Sequence, residues 1–233
     1  MAVFRSIVFI AALAGLVAGL AMTGMQYAGT VPLILKAETF EAAAPAHDHG
    51  AQADGAAAHE HEDEGWAPAD GLERSAYTAL GNVVTSIGFA LLLLAASELA
   101  GGLAGWRQGL FWGLAGFVAF TLAPGLGLPP ELPAMPAADL IARQVWWGAT
   151  VAATSLGLAL LAFRRSLPVA VLALALIVLP HLIGAPKPES FESPVPPALA
   201  HDFVAMVTVV SLVFWAILGA TAGFIRGRVH GTA

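Results

Sequence analysis

Six apolar runs, at residues 7–25, 77–100, 110–122, 137–163, 167–183 and 201–225, constrain this chain more than anything else in it. In hydrocarbon every backbone N–H and C=O must be bonded within the segment, so such runs cross a bilayer as helices. With 58% hydrophobic and 11% charged residues, the chain reads as an all-α polytopic membrane protein with six transmembrane helices. Arg5 precedes the first run, which is long for a signal peptide and lacks an A-x-A site, so it reads as an uncleaved first helix. Gly101-Gly102 breaks the second run and Pro124-Gly125 stops the third. Pro136 suits entry into the fourth, which ends at Arg164-Arg165; Pro180 lies inside the fifth. The connection 186–197 is Pro-rich and stiff.

Lys/Arg placement sets the orientation. Six crossings put Arg5, Arg107, Arg164, Arg165, Arg226 and Arg228 on one side, read as cytoplasmic, with both termini there. The other side holds Lys36, Arg74, Arg143 and Lys187 and fifteen of the sixteen acids, all but Glu98. The expected location is the inner (cytoplasmic) membrane, with the lipid bilayer as the obligatory surroundings. No basic patch suits nucleic acid. The chain has no cysteine, so disulfides and thiolate sites are excluded.

Three regions follow: a first transmembrane helix (1–30), an extracytoplasmic loop rich in His and Glu (31–76) and a five-helix bundle (77–233). The loop carries His47, His49, His59, Glu60, His61 and Glu62, followed by Asp63 and Glu64. Neutral imidazole binds borderline divalent ions such as Co²⁺, Ni²⁺ and Zn²⁺, and carboxylates add charge and oxygen ligands. The spacing fits no closed zinc site, so the loop reads as mobile metal capture; the alternative is a solvated linker. The apolar piece 31–35 reads as interfacial.

Further candidates lie on the same outer side. Asp139 and Arg143 are four apart and can pair on one helix face; with Glu131 they offer a vestibule. Trp146-Trp147 reads as an interfacial anchor. His181 after Pro180, and His201-Asp202 opening the last helix, could converge as a second metal site, although Asp202 also suits a helix start. Glu98, the one acid in or near a span, is either a functional group or a partner of Arg107. At mid-membrane the runs offer Thr, Ser, Gly and Met. Gly15 and Gly19 form a G-x-x-x-G pair that admits close helix approach, and Met22 and Met25 read as packing residues, with soft metal ligation as the alternative. Residues 85–92 echo 154–161, as a parallel repeat of hairpins 2–3 and 4–5 or as low-complexity similarity.

Taken together, Val31-Pro32-Leu33-Ile34, the His/Glu loop, Gly71-Leu72-Glu73-Arg74, Gly127-Leu128-Pro129-Pro130-Glu131-Leu132-Pro133, Ala137-Ala138-Asp139-Leu140-Ile141-Ala142-Arg143-Gln144, Trp146-Trp147, Pro180-His181 and Gly184-Ala185-Pro186 resemble the CbtA family of probable cobalt transporter subunits. The linker departs from the family at Ala134, where the family has Gly. The resemblance implies Co²⁺ uptake, associated with cobalamin biosynthesis, with a small His-containing single-span CbtB-type partner. A homo-oligomer stays open, and so do Ni²⁺ or Zn²⁺ as the ion. The rival reading is a non-transporting subunit that buffers metal and passes it to a permease. A metalloenzyme is not expected: H-E-x-x-H is absent, and His59-Glu60-His61 is too close-set to copy it.

Topology is directly testable. Cysteines at Ala56 and Ala134 should react with an impermeant thiol reagent in spheroplasts, and one at Ser166 should not. Labelling at Ser166 but not at Ala56 would invert the orientation.

Overall fold

Apolar length makes these segments helical, and small residues decide which helices touch. The structure, a computed structural model, describes residues 2–43, 68–69 and 71–230. Its elements are α1 (Ala2–Ala28), α2 (Thr30–Ala43), α3 (Leu72–Leu99), α4 (Trp106–Phe117), a π-helical turn (Val118–Leu122), α5 (Ala123–Gly127), α6 (Leu140–Phe163), α7 (Leu167–Ile183) and α8 (Pro197–His230). No strand occurs among the described residues. Five segments are long and apolar enough to span a membrane: α1, α3, α4 through α5, α6 and α8. The sixth expected crossing, α7, has 17 residues. It rises about 25 Å, short of the roughly 30 Å hydrocarbon core. It nonetheless runs back along α6, with Gly157 against Ala173 and Ile177.

Two glycine-mediated contacts build the larger group of helices. Gly15 and Gly19 of α1 lie against the backbone of α3; a Cβ on either would come within 2.6 Å of Ile87 Cα or Val83 Cα respectively. The G-x-x-x-G pair thus works as a close-approach surface. A second pair of stripes went unread in the sequence. Gly109 and Gly113 of α4 face Gly219 and Gly223 of α8, and a Cβ on any of them would overlap the opposing backbone. These helices enclose Ile10, Leu94, Phe214 and Leu218, all buried. The hairpin of α6 and α7 stands apart and meets this group through the π turn and α5. The two hairpins of the sequence echo are packed differently: α6 lies along α7, whereas α3 packs mainly on α1 and α4 mainly on α8.

Several boundaries move. Pro124 does not stop its helix, because the π turn absorbs it: Ala123 N–H bonds to Val118 O, five residues back, before α5 continues the path. Pro136 is not a helix entry, because α6 begins only at Leu140, capped by Asp139. Residues 30–43 are helix rather than loop. Ala37 of α2 packs with Leu132, Val195, Leu199 and Phe203 in a small outer core, which buries the face that a solvated loop would leave exposed. Ala134, in the linker beneath that core, has φ 63°. That left-handed backbone favours glycine and strains the alanine that stands here.

Gly109→Ala or Gly219→Ala should cost about 1–3 kcal/mol, because each forces the backbones of α4 and α8 apart. Gly88→Ala, at a site with nothing within 4 Å, should be neutral or stabilising. Thermal unfolding of the three variants in detergent checks this; equal losses would refute the close-approach account.

Candidate functional site

The described candidates lie at the end of the molecule opposite Arg107, Arg164 and Arg226, and Glu131, Asp139 and His181 are each held by a local interaction. Arg143 lies on the first turns of α6 and pairs with Glu131 of the linker at 3.0 Å. It does not pair with Asp139, which sits just outside the helix as its N-cap. The Asp139 carboxylate accepts the Ala142 N–H at 2.8 Å, satisfying one of the free donors of the first turn. The expected i, i+4 pair fails for that reason: a capping side chain is turned along the helix end rather than along its face. Glu131 and Arg143 are both partly buried, so the pair fixes the linker to α6.

Trp146 corrects a second expectation. It is buried at 8% exposure instead of anchoring at an interface, and Trp147, at 40%, is the exposed member of the pair. Gly127 leaves room for the Trp146 indole, which donates to Pro180 O at 3.2 Å. His181 packs edge-on against that indole with ring centroids 5.8 Å apart. His201 and Asp202 are exposed on the second turn of α8. His181 belongs to the α6–α7 hairpin and His201 to the α1–α3–α4–α8 group, so they lie on helices that pack with different neighbours. Among the described residues, no three His, Asp or Glu side chains converge on a point that could hold a metal ion. His47, His49, His59, Glu60, His61 and Glu62 lie outside the described residues.

The sequence reading passed over an amide cluster within the spans. Asn82 of α3 donates to Thr23 Oγ1 at 3.0 Å and to Gln26 Oε1 at 2.7 Å, both on α1. Tyr27 O–H bonds Ser75, about two turns along α3 from Asn82. An Asn inside an otherwise apolar run was the available signal, since a buried amide in hydrocarbon must find a partner. Outward of this ladder, Arg74 pairs with Glu38 of α2 at 2.6 Å, tying the outer helix to α3.

Glu98 does not pair with Arg107. Its carboxylate takes Arg226 of α8 at 2.6 Å, while Arg107 stands over the Trp106 ring at 5.4 Å. Arg226 Nη1 also donates to Leu103 O at 2.8 Å. Gly101 and Gly102, at φ 92° and 80°, turn the chain sharply enough for the guanidinium to lie where a Gly102 side chain would be. Arg226 is 12% exposed and Glu98 28%, so this is a largely enclosed clamp at the arginine-rich end.

Asp139→Ala should lower stability by about 1 kcal/mol, whereas Asp139→Asn keeps a capping oxygen and should hold most of it. If Asp139 also meets the metal, the Asn variant should lose maximal uptake rate while melting normally. Paired melting and uptake measurements separate the two roles.

No curated protein and no solved structure matches the chain. One family model does, over residues 4–226, and its description is probable cobalt transporter subunit. That span reaches all five membrane-length helices among the described residues, the linker between α5 and α6, and the Glu98–Arg226 clamp. This multi-pass membrane protein therefore belongs to the CbtA family of probable cobalt transporter subunits.

Proposed function

We propose that this chain is the membrane subunit of an uptake system for a divalent transition metal, foremost Co²⁺, in the cytoplasmic membrane. The observation that carries the reading is the family match along nearly the whole chain. The outer segment bearing His47, His49, His59, Glu60, His61 and Glu62 captures the ion, because clustered neutral imidazoles and carboxylates raise its local concentration. Glu131, Asp139, His181, His201 and Asp202 form the entrance beneath it. Six crossings, with α7 as the short one, keep both termini in the cytoplasm and match the distribution of Lys and Arg. A small single-span CbtB-type subunit completes the assembly. Ni²⁺ or Zn²⁺ fits the same ligands.

A specific observation favours a second reading, in which the chain binds metal and hands it to a permease. Toward mid-membrane the described spans offer amides, hydroxyls and thioethers, and among the described residues no group of three metal-binding side chains occurs. Reconstitution of the chain alone in liposomes separates the two. Metal flux supports a transporter; binding without flux supports the hand-over subunit.

Replacing His47, His49, His59 and His61 together with Ala should reduce uptake at scarce metal and change it little at abundant metal. Capture raises supply, whereas a permeation site sets the maximal rate. Imidazole has an unperturbed pKa of about 6.5 and binds metal only when neutral. The loop-dependent part of uptake should therefore be full above that value and fade as the outside pH falls toward about 5.5. Equal loss at every metal concentration, or no loss at limiting metal, would refute capture by the loop.

A further inference from the structure

A concave apolar crevice of about 710 Å³ lies between the arginine-rich ends of α3, α4 and α6. Each helix lines it with residues three or four apart on one face: Leu92 and Ala96, Phe111 and Ala115, Leu158 and Ala162. It exists because α6 packs on α7, α5 and the π turn and leaves α3 and the lower half of α4 uncovered. Its upper end closes on Phe120 and Trp215, which stack with centroids 5.6 Å apart.

Three arginines adjoin lining residues in the chain at this end of the crevice. Arg107 immediately precedes Gln108, a lining residue, and Arg164-Arg165 immediately follow Phe163, another. All three arginines are exposed, and none has an ion-pair partner among the described residues. Arg143 and Arg226, by contrast, are neutralised by Glu131 and Glu98. A greasy slot between helices with unpaired guanidinium groups at its membrane-surface end matches a lipid chain joined to an anionic head group.

We propose that this crevice is a binding site for an anionic phospholipid, with an acyl chain in the slot and the phosphate at Arg107, Arg164 and Arg165. Charge argues against an apolar helix as occupant, because it would leave the three arginines without counter-charge. A lipid so placed bridges the α6–α7 hairpin to the α1–α3–α4–α8 group, where the protein itself makes little contact.

The test uses the full chain in phosphatidylcholine nanodiscs carrying a minor fraction of a probe lipid with a photoactivatable acyl chain. The probe is either phosphatidylglycerol or phosphatidylcholine, and labelled peptides are mapped by mass spectrometry. The phosphatidylglycerol probe should label the crevice faces of α3, α4 and α6 about tenfold more than the phosphatidylcholine probe. Arg107→Gln with Arg164→Gln should reduce that preference several-fold, while Arg5, Arg165, Arg226 and Arg228 keep the charge bias that sets topology. Ala159→Phe, which fills the slot, should reduce labelling by both probes. Equal labelling by the two probes in the parent chain would overturn the proposal, because the slot would then hold only bulk lipid. It would equally be overturned if a single cysteine at Ser155 cross-linked efficiently to a second copy or to a partner subunit, since the crevice would then be a protein interface.

Discussion

Close approach of helix backbones, made possible by glycine, is the interaction on which the rest of this structure depends. Inside a bilayer, apolar side chains gain nothing by leaving lipid for protein, so helices associate through packing and hydrogen bonds. Gly15 and Gly19 bring α1 onto α3, and Gly109, Gly113, Gly219 and Gly223 bring α4 onto α8. Once those axes are close, side chains on either side come within reach of one another. The Asn82–Gln26 bond needs α1 and α3 at that separation. The Glu98–Arg226 clamp joins α3 to α8, which packs against both α1 and α4.

Polar interactions then fix what glycine packing leaves free to slide. The amide ladder sits toward the outer end of the α1–α3 contact and the Glu98–Arg226 clamp at the opposite end, so the large group is pinned at both. The clamp is not cheap, because both charges lose solvent. Their mutual contact and the Leu103 carbonyl offset that loss, and removing one partner would strand the other. The α6–α7 hairpin has its own pin, the bond from Trp146 to the Pro180 carbonyl. Between hairpin and group, the continuous connection through the bilayer is the π turn with α5. There Trp215 donates to Thr121 Oγ1 at 3.2 Å and stacks on Phe120. A π turn beside a proline is a place where a helix bends at low cost, and here it joins the two parts of the molecule.

This division bears on the transport reading. The described candidate ligands are spread over both parts, with His181 on the hairpin and His201 and Asp202 on α8. Glu131 and Asp139 lie in the linker that joins them. An entrance built from such residues would change shape whenever the hairpin moved against the larger group. The cap formed by α2, the linker and the start of α8 sits at this same end, and buried Ala37, Leu132 and Phe203 hold it together as one small core.

By itself the sequence determined the helical class, the order of the spans, the breaks at Gly101-Gly102 and after Phe163, and the family. Each rests on local chemistry: apolar length, glycine and proline backbone limits, and linear motifs such as Pro-Glu-Leu-Pro. It showed the Gly15/Gly19 pair but not its partner, since one stripe of small residues says nothing about which helix it meets. Tertiary structure alone decided who pairs with whom. Arg143 chose Glu131 because Asp139 was occupied as a cap, and Glu98 chose Arg226, 128 residues away, over the nearby Arg107. Trp146 turned inward because Gly127 made room for it. Proline gave a misleading stop at Pro124, because whether a proline ends a helix depends on whether neighbouring turns can widen around it. The crevice was invisible for the same reason as the pairings. It is made by a contact that α3 and α6 do not form, and no linear stretch of residues records the distance between two helices.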